Sequence, residues 1–152
     1  MEMEQVRNWL SRARSAAAEL EALEENQTRI NSRAVSVTAS YSGDHVSGTK
    51  DPHKLDGYFS GVEQYAALME KRIAALATVS EEIFRVVCQV PEGKERAVLI
   101  RRYLDCSSWE AIAEAMRYTR RNISRLHGKA LLSIKSILEA RENPPEPHRN
   151  AP

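Results

Sequence analysis

The sequence predicts an all-α protein. Ala, Leu, Glu and Arg recur through its 152 residues, whereas only 6 are glycine and 6 are proline, a balance that favours helices over strands. Apolar residues also return at steps of three, four and seven positions over long stretches, which is the spacing of one face of an amphipathic helix. We therefore expect a helical hairpin over residues 1–90, a smaller helical unit over 91–142, and a flexible proline-rich tail over 143–152.

Two long helices are predicted in the N-terminal part. The first covers about thirty residues and has an apolar stripe that runs from Val6 to Ile30. The second covers about residues 55–90 and shows the same kind of stripe. Residues 31–56 lack this periodicity and are rich in Ser, Thr, Gly, Asp and Pro, so we expect a long irregular loop there. The two stripes could bury each other in an antiparallel hairpin or meet a second copy of the chain, and both alternatives stay open.

Charge is distributed unevenly along the chain. The net charge is +1, but residues 94–141 contain eleven basic and five acidic residues, so this segment carries about +6 and the remainder is acidic. Such an asymmetry indicates an anionic partner for the C-terminal part.

Several kinds of site are not indicated. Cys88 and Cys106 are too few for a disulfide framework or a zinc site, and we expect reduced thiols. His45 and His53 lie near aspartates in the predicted loop, at a spacing that fits no usual metal site. No catalytic triad, phosphate loop or carboxylate pair stands out, so we expect neither an enzyme nor a cofactor. Acidic residues precede the first apolar run, and no apolar stretch approaches the roughly 20 residues that span a bilayer, so a cytoplasmic location is expected.

Two short helices with a tight connection are predicted near the C-terminus. Ser107 and Glu110 have the spacing of a capping box at the start of the first helix, and Thr119 is a candidate N-cap for the second. The first helix presents on one face Trp109, Ile112, Ala113 and Met116. The second buries Ile123, Leu126, Ala130, then Leu131 or Ile134, and later Ile137 and Leu138. This spacing is typical of a helix-turn-helix motif, in which Trp109 would anchor the core and His127 would lie at the surface or beside a phosphate.

The outward face of the second helix is basic near its start. If Ile123 and Leu126 point inward, the opposite side carries Arg120, Arg121, Ser124 and Arg125. A recognition helix presents its side chains to base edges from this position, and an arginine there can bond guanine bidentately for about 1–3 kcal/mol of discrimination. Phosphate contacts are expected from Arg117, Asn122 and Lys129. If the basic residues were the only observation, a solvated helix face would explain them. The N-cap, the tight turn and the buried face, taken together with these residues, favour binding to double-stranded DNA.

The stretch "ERAVLIRRYLDCSSWEAIAEAMRYTRRNISRLHGKALLSI" resembles region four of bacterial sigma factors, which binds the −35 promoter element. The resemblance rests on the helix that ends in Arg-Tyr-Leu, on "EAIAEAM" and on "T-R-x-x-I-x-x-L-x-x-K-A-L". It implies base contacts by Arg120, Arg121, Ser124 and Arg125, with Thr119 and Lys129 near the DNA backbone. Arg121 stands where primary sigma factors usually carry an acid, so a different recognised sequence is implied. The whole-chain plan is similar to phage and prophage regulators of the ArpU and RinA type.

These observations lead us to expect a sequence-specific regulator of phage or prophage transcription that acts at promoters. We expect no catalytic activity, and RNA polymerase is a further candidate partner. A single motif makes few base contacts, so we expect a homodimer formed through the N-terminal helices. One alternative is a DNA-packaging subunit that resembles phage small terminases. The other is an adaptor that docks its basic helix on RNA polymerase without reading DNA.

Overall fold

The computed structural model describes residues 1–42 and 52–143, and the regular structure in both ranges is entirely helical. The five helices are α1 (Met3–Ser42), α2 (Pro52–Val87), α3 (Gly93–Leu99), α4 (Trp109–Met116) and α5 (Arg120–Glu142). A π-helical segment, Ile100–Leu104, continues α3. The predicted all-α fold class is confirmed.

The two long helices extend further than the sequence predicted. α1 continues through residues 31–42 and α2 already begins at residue 52, so the expected loop over 31–56 is wrong at both ends. Thr28 and Ser32 show how a Ser/Thr-rich helix is accommodated: each hydroxyl donates to the backbone carbonyl four residues earlier, at 3.0 and 2.9 Å. These side chains bond within the helix and do not compete with it. The middle of the predicted loop and the tail from residue 144 onward lie outside the described residues.

The chain divides into two units, and the predicted boundary near residue 90 is wrong. We call one of them the terminal unit; it comprises the described residues of Met1–Ser15 and of the chain from Thr78 onward. The other, the hairpin unit, comprises the described residues of Ala16–Ala77. The start of α1 belongs to the terminal unit because its apolar side chains are part of that core: Val6 and Leu10 are fully buried. Sequence periodicity identified this stripe but not the elements that cover it.

The hairpin unit consists of antiparallel parts of α1 and α2. Arg72 forms an ion pair with Glu19 at 3.3 Å. The Tyr65 hydroxyl donates to the carbonyl of Leu23 at 2.9 Å and accepts from the Asn26 amide at 3.2 Å. Residue numbers fall on one helix as they rise on the other, which establishes the antiparallel direction within this unit.

This hairpin leaves much of its apolar surface uncovered. Among its described side chains only Met69 is buried, whereas Phe59, Leu68 and Ile73 are between 40 and 51% exposed. A two-helix pair can cover one stripe on each helix, so apolar residues outside those stripes stay in contact with solvent.

The terminal unit has a well-defined core where α3, α4 and α5 meet. Its buried centre comprises Val98, Ile112, Ala113 and Ile123, against which Trp109, Met116, Tyr118 and Leu126 pack. Further along α5 the buried residues are Ala130, Leu131, Ile134 and Leu138. The apolar pattern of the two short helices therefore predicted their inward faces correctly.

Candidate nucleic-acid interface

A three-residue connection joins α4 to α5. Arg117 adopts the left-handed conformation with φ 55°, and the next backbone N–H, of Tyr118, donates to the carbonyl of Ala113 at 3.0 Å. Thr119 then caps α5 as predicted, because its hydroxyl accepts from the backbone N–H of Asn122 at 3.2 Å. The cap fixes the direction in which the first turn of α5 presents its side chains.

The cap of α4 differs from the prediction by one residue. Ser108 accepts from the backbone N–H of Ala111 at 3.2 Å, and Ser107 lies outside the helix. Ser107 is held there by its own N–H, which donates to the carbonyl of Arg101 at 2.9 Å, and by its carbonyl, which accepts from Arg102 at 3.0 Å. The predicted capping box is therefore wrong.

The four predicted base-contacting residues are all exposed on the first turns of α5. Ile123, on the opposite side, is 1% exposed. Arg120 forms an ion pair with Glu110 of α4. Within the described ranges Arg121 and Arg125 form no ion pair, and both guanidinium groups are open to solvent. The structure therefore separates Arg120 from the other two arginines, which the sequence could not do.

The four predicted backbone-contacting residues differ in how available they are. Arg117 and Lys129 are exposed, and Asn122 is half-buried. The hydroxyl of Thr119 is occupied by its capping bond. The first three side chains flank the exposed arginines of α5, whereas Thr119 acts through the geometry of the helix start.

A cavity of about 390 Å³ lies beside the N-terminal half of α5, within the terminal unit. Four arginines line it: Arg7, Arg14, Arg102 and Arg120. Sequence reasoning missed the contribution of α1. A polar row at steps of four and three lies beside the buried Val6–Leu10 stripe and consists of Arg7, Ser11 and Arg14. This spacing is the sequence signal that could have indicated a polar face on α1. The pattern does not, however, indicate which other helix these polar side chains lie beside.

His127 lies in the wall of this cavity and is half-buried, so it is not an open surface residue; the other predicted position, beside a phosphate, stays a prediction. Its Nε2 is 2.9 Å from the hydroxyl of Tyr103, and its ring contacts the edge of Trp109, with 4.8 Å between the ring centroids. Burial, together with the positive charges of Arg7 and Arg102, lowers the pKa of His127 to about 4. The imidazole is therefore neutral at pH 7. Trp109, also half-buried, packs against the core as predicted.

The π-helical segment places two of the cavity residues. Its wider turn is closed by the backbone N–H of Asp105, which donates to the carbonyl of Ile100 at 3.0 Å. Such segments are often found at functional sites because they redirect side chains. Here Arg102 lies over the ring of Trp109 at 4.4 Å, and burial followed by the charge of Arg14 lowers its pKa. The sequence predicted an ordinary helix over this segment.

Comparison with protein-family models, curated proteins and solved structures finds no match for the chain. The resemblance to sigma region four therefore stays a prediction carried by the residues themselves. Among the described residues, no group of three or more His, Cys, Asp or Glu side chains is arranged to hold a metal ion. None of the described helices has an apolar stretch long enough to cross a membrane.

Proposed function

We propose that the protein binds double-stranded DNA in a sequence-specific manner and regulates transcription, with the first turns of α5 as its reading element. One observation carries the proposal: Arg121 and Arg125 are exposed and form no ion pair in the described chain, while Ile123 between them is buried in the core. A helix held in this way has a fixed buried side, so its arginines keep a fixed outward direction. Guanidinium groups presented like this suit guanine edges in a major groove.

The division among the four candidate residues refines their roles. Arg121 and Arg125 act as base readers in this proposal, because their guanidinium groups need not leave another partner. Arg120 would first have to exchange Glu110 for a DNA acceptor, and loss of this exposed ion pair reduces its net gain by up to about 1 kcal/mol. Ser124 is exposed but lines the cavity beneath α1. Arg117 and Lys129 supply backbone contacts that position the helix without carrying sequence information.

A homodimer formed through the hairpin unit belongs to the same proposal. One motif makes too few base contacts for tight specific binding, and a second copy supplies a second half-site. The exposed Phe59, Leu68 and Ile73 of the hairpin unit support this part, since isolated two-helix hairpins bury little apolar area. Phage or prophage origin and contact with RNA polymerase rest on the resemblance alone.

Selection of bound fragments from a random duplex library tests the proposal directly. The expected result is an enriched sequence, bound with a steep salt dependence in which log K falls by about 0.9 for each phosphate neutralised. Arg121→Ala should relax preference at one position, whereas Lys129→Ala should weaken all sequences about equally. Lys71→Ala, an exposed change in the hairpin unit, is the matched control. It should alter neither the base preference nor the overall affinity for duplexes.

Two outcomes would favour the rival functions. Binding to RNA polymerase with no enrichment of any duplex would indicate an adaptor that does not read DNA. A ring of many subunits in native mass spectrometry, in place of a dimer, would indicate a packaging subunit.

A further inference from the structure

The cavity beside α5 brings together four arginines, of which only Arg120 has an ion-pair partner in the described chain. Arg7 and Arg14 come from α1, Arg102 from the π-helical segment and Arg120 from α5, and none of the ten described residues that line the cavity is acidic. Converging guanidinium groups repel one another, and this repulsion is relieved when an anion lies between them. Burial is the main cause that lowers the pKa values of His127 and Arg102, and the neighbouring cations add to it: Arg7 and Arg102 for His127, and Arg14 for Arg102.

The four arginines differ in how many of their N–H donors are engaged. Arg120 pairs with Glu110. Arg102 lies over Trp109 and donates one N–H to the carbonyl of Ser107, so its other N–H groups remain for a ligand. In the part of the chain that the structure describes, Arg7 and Arg14 form no ion pair. They lie two turns apart on α1, so both can reach into the same cavity from one side.

The remaining lining residues suit an oxyanion that carries several acceptor oxygens. Ser11 of α1 and Ser124 of α5 offer further hydroxyl donors. The volume of about 390 Å³ falls in the range of small-molecule sites. Inorganic phosphate or a phosphate monoester has three or more acceptor oxygens and up to two charges, and it matches arginine forks bidentately. A single carboxylate has two oxygens and one charge, so it would leave more of these donors unused.

We propose that this cavity is a phosphate-binding site in which Arg7 and Arg14 of α1 and Arg102 of the π-helical segment hold the anion. The number of acceptor oxygens and charges fits a free phosphate or a phosphate monoester best. A backbone phosphate of a bound duplex has one charge and two non-bridging oxygens, and it is the other source that the test distinguishes. The site does not depend on base reading by Arg121 and Arg125, which do not line the cavity. It also gives the first turns of α1 a ligand-binding role that the sequence did not indicate.

The test uses the full chain with Trp9→Phe, which leaves Trp109 as the single tryptophan and as a reporter in the cavity wall. Inorganic phosphate and pyrophosphate are titrated at constant ionic strength, with chloride as the reference salt. We expect a saturable change in Trp109 fluorescence that chloride does not produce. Arg14→Gln should weaken the apparent affinity at least tenfold, and Arg33→Gln, an exposed change elsewhere on α1, should leave it unaltered.

Arg7→Gln provides a second variant, because Arg7 is more exposed than Arg14 and is less needed for packing. Circular dichroism checks that each variant is folded. The proposal is overturned if phosphate gives no saturable signal, or if the cavity variants and Arg33→Gln bind it equally well.

Two further arms identify the source of the phosphate. If the cavity receives a DNA phosphate, Arg14→Gln weakens duplex binding and pyrophosphate competes with the duplex. If it receives a free ligand only, Arg14→Gln binds the duplex like the parent chain while its pyrophosphate affinity falls. Failure of the proposed function is distinguishable from both, because the parent chain would then bind pyrophosphate but no duplex.

Discussion

At the scale of single residues, His127 shows how strongly the terminal unit determines the chemistry of a side chain. Its Nε2 meets the Tyr103 hydroxyl, its ring contacts Trp109, and the positive charges of Arg7 and Arg102 act on it. Protonation would place another cation in an already cationic cavity. Burial, the largest cause of the lowered pKa, and these cations together hold the histidine neutral, and the free-energy cost of charging it makes the stability of the fold depend on pH.

We expect the folded protein to lose stability as pH falls from about 6.5 to about 4. In this window the unfolded chain binds a proton at His127 that the folded chain does not, because folding lowers the pKa from 6.5 to about 4. The loss should amount to about 1–2 kcal/mol once solvent screening at this half-buried position is allowed for. Urea titrations across this pH range measure it. His127→Gln removes the titrating group, and an unchanged pH profile in that variant would contradict the assignment.

Arg117 is a second residue whose backbone determines the outcome of a substitution. Its φ of 55° is one of two positive values at non-glycine residues in the described chain. Arg117→Gly should raise the stability by up to about 1 kcal/mol, since glycine adopts this conformation without the Cβ clash. Arg117→Ala removes the same charge but keeps the Cβ, so it should give no such gain in a thermal melt. If Arg117 contacts a DNA phosphate, both variants should weaken duplex binding equally.

At the scale of elements, local signals predicted α4 and α5 well and the ends of the long helices poorly. The buried faces of α4 and α5 were predicted from apolar residues spaced three and four positions apart. The capping role of Thr119 was predicted from its position directly before an apolar run. The extension of α1 through residue 42 was missed because serine and threonine are read as helix breakers, although they can bond back to their own helix. The π-helical segment was missed because its i+5 bonding leaves no compositional trace.

The start of α5 depends on one hydroxyl. Thr119→Ala should destabilise the terminal unit by about 1 kcal/mol, since the N–H of Asn122 then loses its acceptor. Thr119→Ser retains the acceptor and should remain close to the parent. Thr28→Ala is the matched control in α1, where the hydroxyl bonds to its own helix and alanine has the higher helix propensity. Equal melting temperatures for Thr119→Ala and Thr28→Ala would show that the cap does not stabilise the fold.

At the scale of the whole molecule, long-range packing was the part that sequence patterns could not supply. Nothing in the first fifteen residues identifies the C-terminal core as their packing partner. An apolar stripe indicates that a helix face is buried, but it does not indicate which other helices cover that face. The cavity residues of α1 were missed for the same reason. The sequence identifies residues 94–141 as a basic segment. It does not indicate that Arg7 and Arg14, far away in the chain, belong to the same unit.

The exposed apolar residues of the hairpin unit make the oligomeric state sensitive to single charges. Ile73→Glu should shift the predicted dimer to monomers at micromolar concentration, because a carboxylate buried without a partner opposes association strongly. Ile73 is 49% exposed in the single chain, so the fold itself should tolerate the change. Leu132→Glu places the same charge on a 58% exposed position of α5 and should leave the mass unchanged. Light scattering measures both. A parent chain that is monomeric under these conditions would contradict dimerisation, and duplex binding by Ile73→Glu at parental affinity would show that one copy of α5 suffices.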